Sequence, residues 1–176
     1  MKKMLEAVSE MIETFAISLI LFLAVYLFLA FPEIVVGTSM EPTLSQGERL
    51  LVERITPKMN KLTRWDVVIF NPPGNNSIDY VKRIVGMPGD SLIIKDCQVF
   101  LINGGKEERL NSDFLSVGTC TAGDSKLINV PSDSFYVLGD NRAHSADSRV
   151  FGPLKKDRIS GKVFLRFWPL GKFSKI

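Results

Sequence analysis

Ser39 lies in Gly37-Thr38-Ser39-Met40-Glu41-Pro42-Thr43, among small and turn-forming residues. A turn of this kind can present a hydroxyl and leave backbone N–H groups to bind an oxyanion. The same residues also suit an ordinary surface turn. A serine becomes a nucleophile only beside a base, because its hydroxyl is barely ionised near neutral pH. Two kinds of base are present. The sole histidine, His144, lies in the loop Gly139 to Arg149, with two Arg, two Asp and two Ser. With Asp140 or Asp147 it would complete a Ser–His–Asp triad. The other kind is a lysine made neutral by burial, which lowers a lysine pKa by up to ~3–5 units. Strand alternation puts Tyr80, Lys82 and Ile84 on one face, so Lys82 has two large apolar neighbours. Lys95 is set similarly between Ile93 and Cys97, and periodicity does not choose between them. Phe135 to Leu138 and Val150-Phe151 flank the polar loop and hold it against a core, where its Arg–Asp pairs could fix hydroxyl positions.

These groups must be positioned by short strands. Glu48 to Ile55, Val67 to Phe70, Ile78 to Val85, Ser91 to Lys95, Gln98 to Ile102, Leu127 to Val130, Phe135 to Leu138 and Val163 to Trp168 read as strands. Between them stand turn signals such as Asn71-Pro72-Pro73-Gly74, Met87-Pro88-Gly89-Asp90 and Asn103-Gly104-Gly105. Glu107 to Gly123 is polar and poorly patterned, and no useful helical period follows residue 32. The expected fold is mainly β, a twisted and mostly antiparallel catalytic domain, with residues 93–130 as a smaller β subdomain.

Ahead of this domain, Thr14 to Phe31 is free of charge. Eighteen helical residues span about 27 Å, close to a hydrocarbon core. Pro32 discourages a longer helix. A cleavable leader is the rival reading, but Phe28 would then stand at −3 to a cut after Ala30. The expected layout is 1–13 on the cytoplasmic side, 14–31 as a single transmembrane anchor, and 33–176 as the extracytoplasmic domain. Lys2 and Lys3 set that orientation, since no Lys or Arg follows the run before Arg49.

The whole chain has 176 residues, with 22 basic and 19 acidic side chains. So small an excess does not indicate a nucleic-acid partner. The basic residues gather after Lys155, interleaved with Phe164, Phe167, Trp168, Leu170 and Phe173. That mixture suits an anionic lipid surface, or a last strand with a solvated basic face. One His and two Cys, Cys97 and Cys120, make a metal site improbable. Outside the cytoplasm the two thiols could pair or stay as buried free cysteines.

Several blocks together resemble the bacterial type I signal peptidases (leader peptidases). They are Ser39-Met40-Glu41-Pro42-Thr43, Gly47 to Val52, Asp79 to Asp90, Gly139-Asp140-Asn141-Arg142, Ser145 to Arg149 and Phe151-Gly152. The N-terminal anchor matches too. The resemblance implies a serine endopeptidase that removes signal peptides from secretory preproteins through an acyl-enzyme, without metal or organic cofactor. It implies a dyad of Ser39 as nucleophile and Lys82 as base, with His144 a bystander. It implies Ser145 orienting the lysine, Asp147 and Arg149 as a supporting ion pair, and Arg83 and Asp140 in the same network. Val35, Met40, Leu44, Tyr80 and Val81 fall at the family's pocket positions, selective for small residues at −1 and −3. One departure is Gly37, where some members carry a hydroxyl residue that assists the oxyanion hole. The resemblance places the protein in the bacterial cytoplasmic (inner) membrane, single-pass, in contact with lipid, and makes proximity to the secretion translocon possible. A self-cleaving protease of the SOS-repressor kind and a non-catalytic membrane-anchored β module are the alternatives. The first lacks an anchor, and the second gives no reason to combine Ser39, Lys82 and Ser145.

Overall fold

Residues 2–24, 26, 29–95, 98–110 and 127–176 are described by the structure, a computed structural model. Helix α1, Lys2–Ala24, has 23 residues and is about 35 Å long. Its stretch Ala7–Ala24 has a mean hydropathy of 1.8 and is not buried by any other part of the described residues. An apolar helix without protein neighbours fits a membrane anchor.

The end of the apolar run departs from the expected helix. Ala30 and Phe31 belong to strand β1, Ala30–Ile34, which pairs antiparallel with β2, Arg49–Glu53. Hydrophobicity alone cannot separate a membrane residue from a core residue, and Phe31 packs on the domain core. Pro32 is tolerated within β1 because β1 is an edge strand, where a missing N–H costs no ladder bond. After β2 the chain makes one helical turn, α2 (Ile55–Lys58), where Glu53 accepts the Ile55 and Thr56 N–H groups.

The main sheet continues through β3 (Val67–Phe70), β4 (Tyr80–Gly86), β9 (Ser134–Leu138), β10 (Leu154–Lys155), β11 (Ile159–Trp168) and β12 (Ser174–Lys175). Its order is β1-β2-β11-β3-β4-β9-β10, with β12 also on β11. All pairings are antiparallel among the described strands, and register shifts along β11 and between β4 and β9 curl the sheet. A second sheet is built from β5 (Ser91–Lys95), β6 (Gln98–Asn103), β7 (Lys106–Arg109) and β8 (Ile128–Asn129), in the order β7-β6-β5-β8. Within it Gly104-Gly105 form the two-residue turn of a hairpin at φ 56° and 81°. Cys97 and Cys120 lie outside the described residues, so the question of their pairing stays with the sequence.

Both faces of the main sheet are covered. In β3, Val67 and Ile69 join Val35, Met40, Leu44, Leu50, Val52 and Val163 in one cluster. Val68 and Phe70 join Ile84, Phe135, Val137 and Leu154 in another. Alternation thus explains why a wholly apolar strand is buried on both sides. Three further strands escape a reading by pattern. β7 is exposed throughout and shows no alternation, and β10 and β12 have two residues each.

Candidate active site

Ser39 sits on the connection between β1 and β2. Gly37 begins the turn at φ 88°, a backbone state in which any larger residue would be strained. Val35 N–H donates to Glu48 O and Gly47 N–H to Val35 O, closing the base of the loop. Met40 and Leu44 then anchor it in the core beneath. The turn is thus held at its base and from beneath, and Ser39 is left partly exposed at its crest.

Lys82 stands in β4 opposite Val68. Its Nζ lies 2.8 Å from Ser39 Oγ and donates to Val81 O at 2.9 Å. The amine also lies 5.0 Å from the centre of the Tyr80 ring. Only 3% of Lys82 is exposed. Burial pulls its pKa down to about 8, against the opposing pull of Asp147 and Asp140. A neutral amine is therefore accessible at mildly alkaline pH. Lys95, by contrast, is tied to Glu107 in an exposed salt bridge. Of the two lysines that periodicity could not separate, Lys82 is the buried one beside Ser39.

The loop after β9 closes over these two residues. Asp140 receives Arg83 Nε at 2.9 Å and Nη2 at 2.7 Å, so that pair is bidentate and buried. Asp147, with no exposure at all, receives Arg149 Nε and Nη2, each at 2.8 Å. It also accepts the Gly139 N–H and caps the short helix α3, Ser148–Phe151. Those bonds raise the Arg149 pKa. Arg142, lowered to about 10 by burial, donates to Gly139 O. The two ion pairs thus brace the loop from both ends.

Ser145 Oγ is buried and, among the described residues, has no hydrogen-bond partner, Lys82 Nζ included. It packs on Gly139, where an added Cβ would meet Ser145 Oγ and lie 2.5 Å from Ser39 O. The hydroxyl thus lies beside the Ser39 backbone, with free hydrogen-bonding capacity. His144 is exposed, and its Nδ1 is 3.4 Å from Asn141 Oδ1. Among the described residues it bonds neither Ser39 nor a carboxylate, and both aspartates proposed for a triad are taken by arginines.

Ser39 and Lys82 open onto a cleft of about 570 Å³. Of the expected pocket residues, Tyr80 and Val81 line it. Val35, Met40 and Leu44 are instead buried members of the adjoining core, and Ile34, Val36, Ile69 and Ile78 provide the apolar lining. Alternation along β1 and its extension explains the swap, since the residues on either side of Val35 point outward. Glu33 and Asp79 also line the cleft; partial burial and then Asp79 raise the Glu33 pKa. Among the described residues no group of three His, Cys, Asp or Glu side chains could hold a metal.

Sequence reasoning missed three contributors. Asn141 bonds the Ser39 turn through both backbone and side chain. Arg142 was legible only as part of a motif. Glu48 is buried and receives Arg166 and Lys172. Burial alone would raise its pKa, but these hydrogen bonds hold it below the usual carboxylate range. Arg166 also donates to Thr43 O, joining the C-terminal strand to the serine loop. An acid at the start of a strand-like run carries no signal of that partnership.

A serine hydroxyl bonded to a buried amine beside an apolar cleft is equipment for acyl transfer. The family model for signal peptidase, peptidase S26, matches residues 8–168. The chain therefore belongs to the signal peptidase family, peptidase S26, and is a hydrolase of the serine peptidase class. Signal peptidase IB of Staphylococcus aureus is 37% identical over 93% of this chain and 91% of its own length. Signal peptidase I of Bacillus licheniformis is 36% identical over 94% of this chain and 91% of its own. A crystal structure of a signal peptidase I from Enterococcus faecalis covers 58% of this chain and 96% of its own, at 26% identity and a TM-score of 0.47.

Proposed function

We propose that this protein removes N-terminal signal peptides from secretory preproteins, with Ser39 as nucleophile and Lys82 as general base. The observation that carries the reading is the 2.8 Å contact between a buried Lys82 amine and Ser39 Oγ. Neutral Lys82 takes the hydroxyl proton as Ser39 Oγ attacks the carbonyl at the end of the signal peptide. The developing oxyanion is held by the Ser39 N–H. Lys82 then protonates the leaving amine, and the C–N bond breaks to give the free mature protein and an acyl-enzyme. A water activated by the same amine attacks the ester, releases the signal peptide and restores Ser39. Asp147–Arg149 and Asp140–Arg83 keep the loop in place.

An extended substrate would lie along β4 and the chain that follows β1, adding backbone hydrogen bonds as a further strand. The apolar lining of the cleft would admit small residues at −1 and −3 and reject large ones by clash. The domain lies outside the cytoplasm, with Lys2 and Lys3 holding the N-terminus inside. It rests on lipid near the translocon exit, where cleavage sites emerge.

The test is incubation of the detergent-solubilised protein with a preprotein. Ser39→Ala and Lys82→Ala should each abolish cleavage while circular dichroism stays unchanged. Activity that survives Lys82→Ala but is lost in His144→Ala would replace the lysine with a histidine base.

A further inference from the structure

Thr38 and Ser39 present consecutive carbonyls to the loop after β9, and one residue holds both. Asn141 N–H donates to Ser39 O at 3.0 Å. Asn141 Nδ2 donates to Thr38 O at 3.1 Å, where Glu41 N–H is a second donor. The Asn141 Oδ1 faces the opposite way, 3.4 Å from His144 Nδ1. A trans peptide is planar, with its C=O and N–H on opposite sides. Turning Thr38 O towards Asn141 therefore turns the Ser39 N–H away from it. Thr38 and Ser39 both line the cleft, and the Ser39 N–H meets no acceptor among the described residues. Gly37 has no side chain with which to share that duty.

We propose that Asn141 is a positioning residue for the oxyanion hole: its paired hydrogen bonds to Thr38 O and Ser39 O aim the Ser39 N–H into the cleft. The proposal rests on the reading of Ser39 as nucleophile. It does not require Asn141 to touch the substrate. Without the side-chain bond, the Thr38–Ser39 peptide plane keeps only Glu41 N–H as a restraint and can rotate. The donor would then be misaimed just when negative charge develops on the substrate oxygen. Ground-state binding, which involves no such charge, would be spared.

The experiment uses the full-length protein in detergent and four forms: wild type, Asn141→Ala, Asn141→Asp and Ser39→Ala. Two probes share one signal-peptide sequence, ending in an aldehyde or in the matching alcohol. The aldehyde carbon accepts Ser39 Oγ, the C=O π bond opens, and the serine proton passes by way of Lys82 to the new hemiacetal oxygen. That adduct occupies the oxyanion position, and the alcohol does not. Removing an oxyanion donor outright costs ~10²–10³ in kcat, so misaiming it in Asn141→Ala should cost ~10–100-fold. KM and alcohol affinity should stay near wild type, while aldehyde affinity falls by a factor similar to that in kcat. Asn141→Asp keeps the backbone bond to Ser39 O but sets a carboxylate oxygen against Thr38 O, so it should fall at least as far. Equal losses of aldehyde and alcohol binding would overturn the proposal in favour of a purely structural role. So would wild-type kcat in Asn141→Ala with Ser39→Ala inactive. Turnover that persists in Ser39→Ala would instead remove the assignment of the nucleophile itself.

Discussion

Lys82, the proposed base, ties the expected activity to one titration. Its amine would carry a charge up to about pH 10 in water, but burial brings the folded pKa to about 8. The neutral base therefore accumulates as pH rises through 8. The value of kcat/KM should climb tenfold per unit below that point and level off above it, as a pH series on one peptide substrate will show. An activity maximum near pH 5 would be incompatible with a lysine base. The same shift bears on stability. Between about pH 8 and 10 the unfolded chain binds a proton at this lysine that the folded chain has lost, so stability rises with pH across that window. Below pH 8 the charged amine is carried into the fold at a cost of roughly 3 kcal/mol. Lys82→Met should thus be inactive yet more heat-stable at pH 6.5, with the gain shrinking as pH approaches 10. If the Lys82→Met variant melts lower than wild type at pH 6.5, the amine's partners outweigh its desolvation.

At the level of elements, the loop between β9 and α3 depends on one carboxylate. Asp147 binds Arg149 twice, accepts the Gly139 N–H and caps α3. Breaking a buried pair from one side costs about 3–5 kcal/mol because the remaining charge is left uncompensated. Arg149 keeps some contact with solvent, with 18% of its side chain exposed, so the lower end applies. Asp147→Ala should therefore lose about 3 kcal/mol in urea unfolding and also lose turnover, as the loop that backs Ser39 loosens. A loss under about 1 kcal/mol would mean that Arg149 finds water or another acceptor without moving the loop.

For the molecule as a whole, the membrane sets the frame. Ile34, Arg49 and Trp168 stand in one row across β1, β2 and β11, beside the cleft. Val36 is 82% exposed, and Leu170 and Phe173 are 72% and 61% exposed. Apolar side chains exposed in this row and in the C-terminal segment fit a surface that rests on lipid, with Lys175 available to anionic headgroups. Because α1 lends nothing to the core, the chain without residues 1–24 keeps β1 and its sheet. It should float with vesicles containing anionic lipid, and Trp168→Ser with Phe173→Ser should release it. Absence of flotation in the unsubstituted form would leave α1 as the sole membrane contact.

Much of this was legible in the chain. The strands at Val67–Phe70 and Ser91–Lys95 declare themselves by β-branched runs between turn signals, because local sterics and alternation suffice. The anchor declares itself by an uncharged run, because lipid tolerates little else. Ser39 and the Arg–Asp loop stand out as groups worth positioning. Tertiary structure decided the rest. Lys82 differs from Lys95 only in what packs around it, and the Ser39 contact spans 43 residues of chain. Ala30 and Phe31 were drawn out of the apolar run into the sheet by pairing partners about twenty residues on. Val35 was turned inward and Val36 outward by the way the chain leaves β1. Asn141 reaches Thr38 across 103 residues. Contacts of that range depend on the closure of the whole curled sheet, and no window of the sequence contains it.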